Sequence, residues 1–226
     1  MSSRTSLQVP ARVHGHCEIE GPGRGAGPCP LLVGFHGYAE TAARHLEALR
    51  RIPGIEAWRR CAVQALHPFY RGRTGEVVAS WMTRFHRELA IADNVRYVSA
   101  AVTRVKTDFP TRAPMAWIGF SQGTAMAYRA AAAAGHRARV LVALGGDVPP
   151  DLAEQDLSGF PRVLIGRGST DSWYTEDKLA ADVGLLRARR VTVEVCRFDG
   201  GHEWSEAFYE AAGRLLAEAD DEHAAP

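Results

Sequence analysis

From Gly119 to Gly123 the chain reads Gly-Phe-Ser-Gln-Gly, a serine with a glycine two positions to either side. The pattern suits a sharp strand-to-helix turn, where a strained serine backbone leaves no room for neighbouring Cβ atoms. Ser121 would then project its hydroxyl from the turn at the N-terminus of the next helix. A glycine-rich turn with an N-capping serine would give the same letters. Context favours the nucleophile, because an apolar run precedes the motif and an alanine-rich stretch follows it. A serine hydroxyl is inert at neutral pH until a base takes its proton. Among nine histidines, His202 is best placed, in Asp199-Gly200-Gly201-His202-Glu203-Trp204 after an apolar run. A base needs an acid to hold its tautomer and stabilise its charge. Asp171, just beyond the run Val163–Ile165, completes the order serine, acid, histidine; Asp147, after Val140–Leu144, is the rival. Asp199, three residues before His202, suits the ordering of its own loop. An oxyanion needs preorganised donors, and the amide of Gln122, next to the serine, is one. The His36-Gly37 pair at the end of Leu31–Phe35 marks a turn that would supply another, with His36 orienting the loop and not acting as base. Together these groups could carry out acyl transfer, which calls for no metal and no organic cofactor.

The remaining histidines read as bland. His14 and His16 share the wet face of an N-terminal strand, and no other ligands at useful spacing accompany this pair. His45 and His86 fall in helical stretches, His136 follows a helix, and His223 lies in the tail. His67, beside Pro68, is near enough to a strand end to line the site.

The elements that must position these groups follow from the apolar pattern. Leu31–Phe35, Cys61–Leu66, Met115–Gly119, Val140–Leu144, Val163–Ile165 and Val191–Cys196 are short, mainly apolar runs, as in strands buried on both faces. Helical segments intervene. Between Ala90 and Asp108 the residues Ile91, Val95, Val98, Val102 and Val105 recur at helical spacing. Gln122–Ala134 and Trp204–Ala219 are two more. The alternation predicts a doubly wound, mostly parallel sheet with helices on both faces, and ligands beyond the carboxyl ends of the strands. Val9–Ile19 alternates apolar and polar, which predicts an antiparallel edge strand. Residues 1–8 and 220–226 read as frayed ends of a single domain.

With 27 Lys and Arg against 26 acids the net charge is +1, which argues against nucleic acid as a partner. The first ten residues lack an apolar core and no stretch approaches a membrane span, so no membrane insertion is expected. Cys17, Cys29, Cys61 and Cys196 are scattered without a C-x-x-C pair, as in a cytoplasmic protein with reduced thiols. A homodimer stays open.

The segments LLVGFHGYAE, GFSQG with its small-residue helix, GSTDSWY and GGHEW resemble the carboxylesterase/phospholipase family of α/β-hydrolases, which includes acyl-protein thioesterases. The resemblance runs from about Leu31 to Leu216. It implies a compact serine hydrolase without a large lid, with Ser121, Asp171 and His202 as catalytic triad. It also implies that the amides of Tyr38 and Gln122 form the oxyanion hole. The chain departs from the family at Thr124, where a further glycine is usual, at Ser172-Trp173-Tyr174 after the acid, and at the bulky Glu203-Trp204. These departures are expected around the acyl pocket, so long-chain thioesterase or phospholipase activity does not carry over. Tyr38, Phe69, Tyr70, Trp81, Met82, Trp173 and Trp204 fall near strand ends and would wall a short apolar acyl or aryl site; core packing is the competing role for Trp81 and Trp204. The expected activity is hydrolysis of small or short-to-medium-chain carboxylic esters or thioesters. A peptidase, amidase or lysophospholipase on the same fold is the alternative, and a non-catalytic ligand-binding homologue is the rival from another class.

Overall fold

A computed structural model describes residues 3–23 and 27–224. Its central sheet uses β1 (Cys17–Glu20), β2 (Cys29–Phe35), β3 (Arg59–Val63), β6 (Thr111–Phe120), β7 (Val140–Leu144), β8 (Arg162–Gly168) and β9 (Val193–Phe198). Their order is β1-β3-β2-β6-β7-β8-β9, and every pairing is parallel except that of β1 with β3. A separate antiparallel hairpin joins β4 (His67–Tyr70) to β5 (Val77–Ser80). Five α-helices occur among the described residues: α1 (Ala42–Leu49), α2 (Arg87–Asp108), α3 (Gln122–Ala133), α4 (Glu176–Ala188) and α5 (Glu206–Ala224).

The period of two along each strand divides the core into two layers. Leu31, Val33, Phe35, Met115, Trp117, Leu141, Ala143, Val163 and Ile165 face α2, α3 and α4, whose Val98, Val102, Met126, Leu179 and Leu186 pack on them. Leu32, Ala116, Ile118, Val140, Val142 and Leu164 face the other way, onto Leu49 of α1 and Phe208, Ala212 and Leu215 of α5. Both faces of the central strands β2, β6, β7 and β8 are therefore covered, which is why they are mainly apolar. By contrast β9, expected to be buried on both faces, alternates Val193-Glu194-Val195-Cys196-Arg197-Phe198 and is partly exposed at the sheet edge. Among the described residues no helix is long and apolar enough to cross a membrane, and the four cysteines are free thiols.

Two expectations about the ends need correction. The edge strand is only Cys17–Glu20. Its partner β3 stops at Val63, opposite Cys17, and only the bond from the Gln64 amide to the His16 carbonyl (2.9 Å) extends the ladder. Residues 9–15 therefore alternate in character with no strand beside them. At the other end, residues 220–224 continue α5. Ion pairs from Arg112 to Asp220 and from Arg139 to Glu222 (2.7 Å) tie its last turns to the starts of β6 and β7. Residues 1, 2, 225 and 226 lie outside the described residues, as do the side chains of His223 and Ala224.

Candidate active site

Ser121 lies between the end of β6 and the first residue of α3, with φ 52° and ψ −119°. A side chain rarely adopts positive φ, and here the strain turns the chain from strand to helix within one residue. The Ser121 amide donates to the Leu144 carbonyl (2.8 Å), so β7 holds the turn. The flanking glycines have different jobs. A Cβ at Gly119 would come 2.5 Å from the Gly123 carbonyl oxygen across the turn. One at Gly123 would come 2.0 Å from the Phe35 carbonyl oxygen, so that glycine lets the end of β2 lie against the helix start.

His202 arrives from the loop after β9. Its Nε2 is 2.8 Å from Ser121 Oγ, and its Nδ1 is 2.8 Å from Asp171 Oδ2. The second carboxylate oxygen of Asp171 accepts the amides of Trp173 (2.8 Å) and Tyr174 (2.9 Å). Burial pushes the Asp171 carboxyl up, but the Tyr174 amide, His202 and the Trp173 amide more than offset it and hold it below the usual carboxylate range. An ionised acceptor there makes Nδ1 of His202 the donor and leaves Nε2 free to accept the serine proton. The loops are stitched together by the amide and hydroxyl of Thr170, both donating to the Gly200 carbonyl (2.9 and 2.8 Å). Asp147, the rival acid, is exposed and pairs with Lys178 (3.3 Å).

Tyr38 and Gln122 are the expected backbone donors: Gln122 directly follows Ser121, and the loop of Tyr38 leaves from Phe35 and His36, whose carbonyls lie against Gly123. Among the described residues, neither the Tyr38 amide nor the Gln122 amide has an intramolecular acceptor. The Tyr38 loop is held from three sides. Ala39 and Glu40 bridge to Ala79 of β5, the Gly37 amide donates to Glu40 Oε2 (2.8 Å), and the Trp81 Nε1–H donates to the His36 carbonyl (2.8 Å). His36 is wholly buried. Its Nε2 accepts the Ala65 amide (3.1 Å), so its Nδ1 donates to the Gly37 carbonyl (2.7 Å), and burial lowers its pKa to about 4. It is a neutral brace between β2 and β3, in keeping with its expected orienting role.

A search of solved structures finds the same architecture in proteins of low sequence identity. An esterase named PE8 shares 20% identity, with 92% of this chain and 100% of that chain aligned at a TM-score of 0.71. A carboxylesterase from Mesorhizobium loti shares 19%, covering 83% of this chain and 88% of its own at 0.69. SOBER1 from Arabidopsis thaliana shares 17%, covering 84% and 98% at 0.68. The chain has the α/β-hydrolase fold. No family model and no curated protein sequence matches it.

Beside Ser121 this hydrolase fold leaves a cavity of about 380 Å³. Of the seven aromatic and methionine residues expected as walls, only Met82 and Trp173 line it. Trp81 is fully buried between Phe35 and His36 and packs in the core, because its indole N–H is committed to the His36 carbonyl. Trp204 lines a second hollow of about 430 Å³ on the other side of His202, with Phe120, His45 and Tyr209. Tyr38 stacks on Phe69 (5.4 Å between centroids), Tyr70 is exposed, and neither they nor His67 border either space. Thr124 is buried behind the turn, its hydroxyl within reach of the Gly119 and Leu144 carbonyls (3.2 and 3.1 Å), so this departure from the family pattern does not touch the cavity. His16 bonds Glu18 (2.9 Å), and no metal-binding cluster occurs among the described residues.

Sequence reading missed two contributions. The Gln122 side chain accepts the Trp81 amide (2.9 Å) and donates to the Met82 carbonyl (3.0 Å), fastening the segment after β5 over the turn. Its position in the motif was visible, but its partners, about forty residues earlier, were not. Arg84, Arg87 and Lys178 line the cavity and make it polar on one side. They lie outside the strand-end segments where walls were sought.

Proposed function

We propose that this chain is a serine hydrolase of the carboxylesterase/phospholipase type that cleaves small carboxylic esters or thioesters. The supporting observation is the unbroken relay from Ser121 Oγ to His202 Nε2 and from His202 Nδ1 to Asp171 Oδ2, both steps 2.8 Å. In this reading Ser121 attacks the carbonyl while His202 takes its proton. Asp171 stabilises the imidazolium, and the amides of Tyr38 and Gln122 receive the oxyanion. His202 then protonates the leaving alcohol or thiol, and water, activated by the same imidazole, releases the acid. The names of the esterase PE8 and of the Mesorhizobium loti carboxylesterase agree with this chemistry.

A fluorophosphonate probe is expected to label Ser121. Ser121→Ala is expected to lose labelling and to cut p-nitrophenyl acetate turnover by about 10³-fold or more. Undiminished turnover in that variant would overturn the proposal, and a protein that binds esters without labelling would be a non-catalytic homologue.

A further inference from the structure

The two spaces flanking His202 are not equivalent. The first borders Ser121 and Gln122 as well as His202, whereas the hollow containing Trp204 borders the imidazole but not the serine. An acyl group stays bonded to the serine oxygen after the leaving group has gone, so the first cavity is the one that must hold it. This step rests on the serine hydrolase reading above.

That cavity carries an excess of positive charge. Arg84, Arg87 and Lys178 line it against a single carboxylate, Asp147, which is already paired with Lys178. Among the described residues, neither Arg84 nor Arg87 has a carboxylate within ion-pair distance or a hydrogen-bond acceptor for its guanidinium. Asp151, the acid whose field Arg87 feels, gives both oxygens to the buried Arg129 (2.9 and 2.6 Å). Arg87 is also the first residue of α2, whose N-cap, His86, makes no side-chain capping bond. The helix dipole therefore adds positive potential on the same side, and Glu88 in that turn does not border the cavity. Both arginines are exposed and border the catalytic cavity, and a plain alkyl chain laid against them would strip water from the guanidinium groups without replacing its bonds. They match an anionic group, since the guanidinium fork pairs with a carboxylate through two parallel bonds.

We infer that the preferred substrate is an ester whose acyl group ends in a carboxylate, a half-ester of a short dicarboxylic acid, with Arg84 and Arg87 as its specificity determinants. The test compares p-nitrophenyl hydrogen adipate with p-nitrophenyl hexanoate, which present chains of equal length with and without the terminal charge. The wild-type protein is expected to favour the adipate by about tenfold or more in kcat/KM at low ionic strength. The preference should shrink at high salt, fall towards unity in the Arg84→Ala/Arg87→Ala variant, and be only partly kept by Arg84→Lys/Arg87→Lys, which retains the charge but not the fork. Hydrolysis of the hexanoate with no preference for the adipate overturns this inference and leaves the esterase reading intact. A preference that survives loss of both arginines also overturns it. If neither ester turns over and Ser121 is not labelled, both proposals fall.

Discussion

Asp171 owes its behaviour to the two residues after it. The amides of Trp173 and Tyr174 grip one carboxylate oxygen, which leaves the other aimed at His202 with little freedom to turn away. Replacing the carboxylate by an amide would set an N–H against the Nδ1–H of His202 or force the other tautomer, with the proton on Nε2, where it cannot accept from serine. Asp171→Asn is therefore expected to lower kcat by about three to four orders of magnitude with a much smaller change in KM, measured on p-nitrophenyl acetate. A loss below about tenfold would take the acid's role away from Asp171.

Among the elements, the β4–β5 hairpin and the residues after it act as a clamp on the Tyr38 loop. β5 bridges Ala39 and Glu40, while Trp81 reaches the His36 carbonyl through its ring, the Gln122 amide group through its backbone N–H and Asn94 through its carbonyl (2.7 Å). One residue thus ties β2, α3 and α2 together at the site's rim. Trp81→Phe would leave the buried His36 carbonyl without that donor and a gap in the core. The expected cost is about 1–3 kcal/mol of stability in denaturant unfolding. On the proposed oxyanion role of the Tyr38 amide, turnover should also fall through kcat because that amide loses its support. Stability unchanged within about 0.5 kcal/mol would show that the clamp contributes nothing.

For the whole molecule, two buried imidazoles set a response to acid. Burial lowers His36 to about 4, and burial with the nearby His36 charge lowers His45 to about 3. Neither ring nitrogen of His45 has a hydrogen-bond partner among the described residues. Both groups titrate near 6.5 once unfolded, so below that pH the unfolded chain binds more protons than the folded one. Stability is then full above about pH 6.5 and falls as the pH drops towards 4, by an amount on the order of 3 kcal/mol for each histidine. His45→Leu is expected to flatten the Tm against pH curve between these limits. Parallel curves for variant and wild type would contradict this origin of acid lability.

The sheet's interior was legible because strands buried on both faces must be apolar along their whole length, and Val140–Leu144 could be bounded to the residue on that ground alone. Helix α3, framed by the glycine motif and Gly135, ends at Ala133, one residue before the expected Ala134. Ser121, Asp171 and His202 could be singled out because each follows a strand of the sheet, β6, β8 and β9, at the end where a parallel sheet exposes its loops. Helix α1 was visible only as a helical stretch around His45, and α4 and the β4–β5 hairpin escaped notice, since their residues are mixed in character and their stability comes from what they pack on. The walls of the cavity were decided only in three dimensions. Whether an aromatic ring near a strand end faces the site or the core depends on partners such as the His36 carbonyl for Trp81 and Phe69 for Tyr38, which lie far away in the chain. Side-chain chemistry and its order along the chain are local properties. The charge and shape of the space beside the serine are sums over distant segments, and only folding performs that sum.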